Sequence, residues 1–308
     1  MTSFDDREYA TLIENLLHDI HYINTSNMGK IGLLRRHTEV MVRKLLDIGN
    51  SEELVLGQIR MKSQNDAVMK GMGALGDELS AKLIEIVDCI RPLGNEGTHT
   101  KHTADFSDSD VAGFEDAILD LYALIFIRFF IDFQVGLFSS PLVLNAFSFL
   151  PPIIRYKTWS YLFKRDSQNI QIANRLCLSI IKAFDKERAY KWLDDNHEAI
   201  RAIPYPTDYE RYQYVLTAGI EIEPGSGVYM VSLAFDDYEN TLDLLHSKIA
   251  DERTSINESG KMYATFEEAL QYYRGYKINH FAANTKELEE LYSLMDFVFL
   301  GRKSAAEL

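Results

Sequence analysis

The sequence predicts a mainly α-helical protein in two parts. Three observations carry that expectation. Apolar residues recur at three- and four-residue spacing through most of the chain. Strand-like alternation is confined to one short stretch near residues 215–235. The composition, 46% hydrophobic and 25% charged over 308 residues, is that of a globular chain long enough for two cores.

Residues 7–24 form the first expected helix, on Leu12, Ile13, Leu16, Leu17 and Ile20. Residues 29–48 form the second, with Ile31, Leu34, Thr38, Met41, Val42, Leu45 and Leu46 as its stripe and Gly49-Asn50 as its stop. Ser51 as an N-cap, with Glu52-Glu53 behind it, predicts a short helix over 51–62. The glycine-rich stretch 69–76 reads as a loop; it lacks the Lys-Ser/Thr of a phosphate loop. Residues 77–90 are helical and run into Pro92, after which 92–107 is a polar loop. Ser107-Asp108-Ser109-Asp110 opens a long helix to about residue 134. Its later part, LYALIFIRFFIDF, is apolar nearly all round, so it is expected at the centre of a bundle or against a second subunit. Residues 1–135 thus read as a four- to five-helix bundle.

The second part spans residues 136–308. Breaks at Gly136, Ser139-Ser140-Pro141 and Pro151-Pro152 open it. Helices are expected over 153–164, 169–184 and 186–203, closed by Pro204 and Pro206. Val215–Glu223 and Val228–Phe235, on either side of Pro-Gly-Ser-Gly, read as a β-hairpin. Helices follow at 238–250, 266–275 and 285–299, and the closing GRKSAAEL is expected to fray.

The formal charge is −14, and neither part is basic: 13 Lys and Arg face 22 Asp and Glu in residues 1–135, and 19 face 24 in the remainder. The acidity therefore counts against a broad phosphate-neutralising face, and with it against bulk DNA binding and attachment to an anionic membrane surface. Any nucleic acid must be held by a small local patch. Cys89 and Cys177 lie in separate apolar runs and read as buried free thiols. The acidic N-terminus MTSFDDREYA is no signal peptide. Asp120, Arg128 and Asp132 interrupt the apolar run Ile118–Phe133, so no membrane span is expected and the location is read as cytoplasmic.

The chemistry-bearing residues gather in VDCIRPLGNEGTH, residues 87–99. Asn95 and His99 are four apart and share a face if the segment carries a helical turn. A histidine of near-neutral pKa can take a proton from a ribose hydroxyl or give one to a leaving oxygen. Arg91 can grip a phosphate in two-pronged fashion, and Asn95 can orient either partner. That chemistry needs no metal and no cofactor. The structural alternative is that Arg91, Asn95 and His99 cap a helix end and pin a loop. On the helix at 29–48, Arg35, Glu39 and Arg43 share a face at i, i+4 and i+8. They either pair among themselves or bring Glu39 to position Arg91 or His99, and they form the chain's best basic patch for a phosphate. His99 and His102 have helical metal spacing but no third ligand beside them, so no metal site is expected. Tyr272, Tyr273 and Tyr276 with Arg274 and Lys277 read as a packed helix with tyrosine tips, or as a base-stacking surface.

The pattern Ile90-Arg91…Gly94-Asn95…His99 resembles the IRxxGNxxxH signature of the DUF4145 family, a branch of the HEPN superfamily. Arg35…Glu39 resembles the R-x-x-x-E helix with which such domains open. The resemblance covers roughly residues 30–135 and implies an HEPN-like helical bundle. It further implies a metal-independent endoribonuclease of a prokaryotic defence or toxin system. Such an enzyme pairs as a homodimer and cleaves RNA at a composite site made of Arg91, Asn95 and His99. Gly94 stands where the HEPN nucleases carry arginine. The alternative it implies is a non-catalytic interaction, scaffold or sensor module of a defence or restriction system, with a protein partner.

Overall fold

Good caps and apolar stripes set the first helices. The computed structural model describes residues 3–97, 103–221, 229–251, 264–279 and 285–308, and it is mainly helical. Helix α1 (Asp6–His21) begins where the Asp5 carboxylate accepts the Arg7 N–H, and it buries Tyr9, Ile13, Leu16, Leu17 and Ile20. Helix α2 (Asn27–Leu46) is capped by the Ser26 hydroxyl on the Gly29 N–H. It ends at Asp47 in the left-handed region, φ 54°. The Asp47 carboxylate accepts the Phe4 N–H at 2.8 Å, tying the chain start to the helix end.

The next segments depart from the sequence-based expectation. No helix forms over 51–62; Leu56–Gln58 make a single 3-10 turn. The reason is Arg43, whose guanidinium donates to the carbonyls of Gly49 at 2.7 Å and Glu52 at 2.9 Å and so holds the segment as a loop. Conversely, the glycine-rich stretch expected to be a loop is helix α3 (Asp66–Leu75), capped by the Asn65 side chain on the Val68 N–H. Each helical glycine costs about 1 kcal/mol against alanine. Packing explains the first of them. A Cβ on Gly71 would stand 2.4 Å from the Leu46 carbonyl oxygen, so only glycine lets α3 lie on the end of α2.

Helix α4 (Asp77–Glu96) does not stop at Pro92 but runs through it. An interior proline forfeits one helical hydrogen bond and costs about 3 kcal/mol or more. The offset is a continuous seam: Leu83, Val87, Ile90 and Gly94 are all buried at four- and three-residue spacing. Pro92 lies off that seam and is exposed, where water can serve the carbonyl it leaves unpaired. Helix α5 (Asp108–Phe133) follows, its start tied to α2 by Asn27, which donates to Phe106 O at 2.8 Å and to the Asp108 carboxylate at 2.9 Å. Within α5, Leu121 through Ile127 are at most 4% exposed. The chain itself thus covers the face on which a second subunit was an alternative. No described helix is long and apolar enough to cross a membrane.

The chain divides into two compact units. The first comprises Met1–Arg128 and a late return, Asp296–Lys303. There Phe297 sets its ring edge-on to Phe4 at 6.0 Å. The Lys44 amine sits over both rings while pairing with Asp6 at 2.8 Å. Gly301, at φ 79°, lies so close to α1 that a Cβ would stand 2.9 Å from Glu14 Cα. Lys303 donates its backbone N–H to the Tyr22 hydroxyl at 3.0 Å.

The second unit comprises Phe129–Met295 and Ser304–Leu308. It holds α6 (Pro141–Phe147), α7 (Pro152–Arg165) and α8 (Ile170–Ala183). Phe130 packs against Phe147 at 4.8 Å and Trp159 at 4.6 Å, an aromatic centre for the unit. The single helix expected over 186–203 is two, α9 (Lys186–Asp195) and α10 (His197–Arg201), broken at Asn196. A capping box of Thr207 and Glu210 starts α11 (Asp208–Ala218). That helix overruns the first half of the expected hairpin. Among the described residues only a two-residue pairing remains, β1 (Ile220–Glu221) against β2 (Tyr229–Met230) with Ile220 opposite Met230; the intended turn lies outside the described residues. α12 (Thr241–Ala250), α13 (Phe266–Asn279) and α14 (Lys286–Phe299) close the order. The tail is not frayed: Ser304 is buried, and Glu307 pairs with Arg274 at 2.9 Å.

Gly71 and Gly73 separate packing from propensity within one helix. Gly71→Ala should lower stability by about 1–3 kcal/mol through overpacking against Leu46. Gly73→Ala, where a Cβ meets nothing within 4 Å, should raise it by about 0.5–1 kcal/mol. Urea midpoints at constant slope measure both, and equal shifts would refute the account.

Candidate functional site

The motif residues meet α2 at a close helix crossing. A Cβ on Gly97 would stand 2.8 Å from Ile31 Cγ2, and one on Gly94 3.2 Å from Arg35 Cδ. Gly94 of α4 and Gly97 at its C-cap thus form the groove in which Ile31 and Arg35 of α2, four residues apart, lie. The stem of Arg35 runs across Gly94, and its guanidinium donates to the Asn95 amide oxygen at 2.6 Å. The Arg35 Nε also lies 3.7 Å from the Glu39 carboxylate. Burial pushes the Glu39 pKa up, against the downward pull of Arg35 and Arg43.

Arg35, Asn95 and Glu39 are therefore brought together, whereas Arg91 is not. Its guanidinium pairs with Asp88 at 3.1 Å, one turn back on α4, and both side chains are well exposed. Arg43 is spent on the loop carbonyls described above and offers no phosphate grip. His99 and His102 lie outside the described residues. Glu39 contacts the motif through Arg35 and Asn95, not through Arg91. The spacing logic put Arg35 on the right face; what it missed was that Gly94 is shaped to receive it. An arginine at position 94 would have to displace Arg35.

A second polar cluster of the first unit escaped the sequence reading. His37, two residues from Arg35, is 2% exposed, and its Nε2 lies 2.8 Å from the Tyr122 hydroxyl of α5. Tyr122, 1% exposed, is also hydrogen-bonded by Arg302 of the C-terminal return. Arginine can only donate, so the phenol oxygen accepts from Arg302 and its proton is available to His37. Burial, reinforced by the Arg302 charge, lowers the His37 pKa to about 3. The signal was a histidine inside the apolar stripe of the second helix, flanked by Leu34 and Met41.

Of the cysteines, Cys177 is buried as expected, and Cys89 is exposed instead, on the outward face of α4. No group of three or more metal-ligating side chains occurs among the described residues. Tyr273 is buried and donates to the Tyr292 carbonyl at 3.3 Å, so it is a packing residue of α13. Asp105 and Asp110 serve backbone N–H groups of Met28 and Ser107.

What the fold and this site define is a mainly helical protein with an arginine–amide–carboxylate cluster at a helix crossing. No protein-family model matches the chain, and no curated protein or solved structure is significantly similar to it.

Two outcomes are expected. A double-mutant cycle of Arg35→Ala and Asn95→Ala should show a coupling of about 1–2 kcal/mol, the range of a charge-assisted bond that is partly screened; additive effects would contradict the contact. His37 binds its proton less well folded than unfolded. Its stabilising contribution is therefore full above pH 6.5 and falls as the pH drops toward 3. Stability should drop by about 2 kcal/mol between pH 7 and pH 5 on this account. His37→Gln should flatten that part of the pH profile of urea unfolding.

Proposed function

We propose that this chain is a non-catalytic module of HEPN/DUF4145 type, a scaffold or sensor of a prokaryotic defence or restriction system that works through a protein partner. The observation that carries the reading is the pairing of Arg91 with Asp88. The one motif arginine is held by an acid of its own helix, so no motif arginine is poised for a scissile phosphate. Arg35, which lies at the motif, already serves Asn95 and Glu39. In this reading Gly94 is a packing residue, and the motif ties α4 to α2. The module acts in the cytoplasm, as a homodimer or with its partner, and uses no metal or cofactor.

A second reading rests on a different observation. Arg35 brings a guanidinium to Asn95 from another helix and so places an arginine beside the motif after all. On that reading the chain is a metal-independent endoribonuclease, with Arg35 gripping the phosphate, Asn95 orienting it and His99 moving the proton.

Incubation of the purified protein with total RNA and tRNA in EDTA separates the two. The module reading expects no cleavage by wild type. Cleavage that leaves cyclic phosphate ends and is lost in both folded His99→Ala and Arg35→Ala variants would replace it with the nuclease reading.

A further inference from the structure

The second unit carries a cleft of about 560 Å³, open to solvent and lined by Phe138, Thr207, Tyr209, Glu210, Gln213 and Thr217. Its walls come from two places. Tyr209, Gln213 and Thr217 follow at four-residue spacing along one face of α11. Phe138 comes from the turn between α5 and α6.

Both walls are fixed from behind. The Ser139 N–H donates to the Gly136 carbonyl at 3.1 Å, and the Ser139 hydroxyl accepts the Gly136 N–H at 2.8 Å, closing the turn that carries Phe138. Asn169, the cap of α8, and Gln171 within it hold the same segment by the carbonyls of Val135 and Leu137, at 2.7 and 3.4 Å. The Thr207–Glu210 capping box fixes the first turn of α11, which carries Tyr209. Such a surface is ready to bind without first paying to order its backbone.

The rings it presents are left open. Phe138 is 50% exposed and Tyr209 72%. Neither packs on another ring or under a cation among the described residues. Tyr212 and Leu216, a step round α11, are exposed beside them. Single exposed apolar side chains are ordinary, but four around one cleft mark an interaction surface.

Charge decides what that surface takes. One acid lines the cleft and no base. Glu210 spends its Oε2 on the Thr207 N–H and hydroxyl, both at 2.8 Å, and leaves its Oε1 able to accept. Those bonds, the backbone one first, lower its pKa and keep it ionised. Arg211 of the same helix is engaged elsewhere: it donates to the Pro206 carbonyl at 2.9 Å and to Asp236 at 3.3 Å, and lies over the Tyr205 ring. Aromatic faces attract cations, and a carboxylate accepts charge-assisted bonds from them. A guanidinium meets both demands at once, because its plane stacks on rings while its edge donates in a fork. A neutral side chain would leave the carboxylate unanswered.

We propose that this cleft docks a partner protein, taking an arginine of an extended segment against Phe138, Tyr209 and Glu210, with a neighbouring apolar residue of that segment on Tyr212 and Leu216. A partner of this kind suits the module reading, but docking here does not require it, since a nuclease can be recruited through the same cleft.

The test is a fluorescence-anisotropy titration of a labelled peptide with the full chain, the peptide carrying one central arginine flanked by leucines in a Gly-Ser background. The same peptide with citrulline for arginine keeps the shape and loses the charge. Saturable binding of the arginine peptide is expected, weaker by about tenfold or more for citrulline. Tyr209→Leu keeps an apolar side chain and removes the ring; Glu210→Gln keeps the capping box and removes the charge. Each should weaken binding by about fivefold or more. Glu198→Gln, at an exposed acid of α10, should leave it unchanged. Absence of saturable binding, equal binding of the two peptides, or equal weakening by Glu210→Gln and Glu198→Gln would overturn the proposal. So would a dimer in sedimentation that Tyr209→Leu dissolves, which would assign the cleft to a second copy of the chain.

Discussion

The close approach of α4 to α2 is the constraint on which the first unit depends. Gly94 and Gly97 are the positions at which a side chain would collide with Arg35 and Ile31. Because they are glycines, the two backbones approach closely enough for a long cation to lie flat in the groove. That placement joins Arg35 to Asn95, sets Glu39 beside it, and keeps α4 helical through Pro92 by rewarding an unbroken seam from Leu83 to Gly94. A residue that reads as a missing catalytic group in the sequence is, in the fold, the space another arginine occupies.

Both units bury polar and charged side chains. In the first, His37, Tyr122 and Arg302 form a chain in which Arg302 donates to the phenol and the histidine stays uncharged. In the second, burial, and after it the neighbouring arginines, lower the affinity of Lys182 and Lys248 for protons.

The helical class was legible because the stripes of α1, α2 and α5 are long and regular, and a pattern repeated over several turns outvotes any single residue. Several failures fall where one local signal carried the expectation. Pro92 signalled a stop, but it faces water on a helix held from the other side. Gly71 signalled a loop, but the close contact with Leu46 selects glycine within a helix. Val215 opened an apparent strand, yet the Thr207–Glu210 capping box had already committed the segment to helix. Ser51 offered a cap that Arg43 overrode by claiming the neighbouring carbonyls. At the site, the shared face of Arg35 and Glu39 was legible from their spacing. Its pairing with Asn95, sixty residues on, was not, because nothing local encodes a helix crossing.

The late return of Asp296–Lys303 to the first unit bears on how this protein acquires its structure and on how it can be cut. From Arg128 the chain lays down the whole second unit before it supplies the Phe297 ring, the Gly301 turn and the Arg302 guanidinium that finish the first. Folding therefore cannot proceed unit by unit from the N-terminus. The first unit waits for a segment remote in sequence, which places its closure among the slow, non-local steps. A fragment cut after the long α5 helix would leave Tyr122 and His37 without the arginine that faces them. The motif-bearing unit is inseparable from the chain that follows it, and only the uncut polypeptide gives its chemistry a fair hearing.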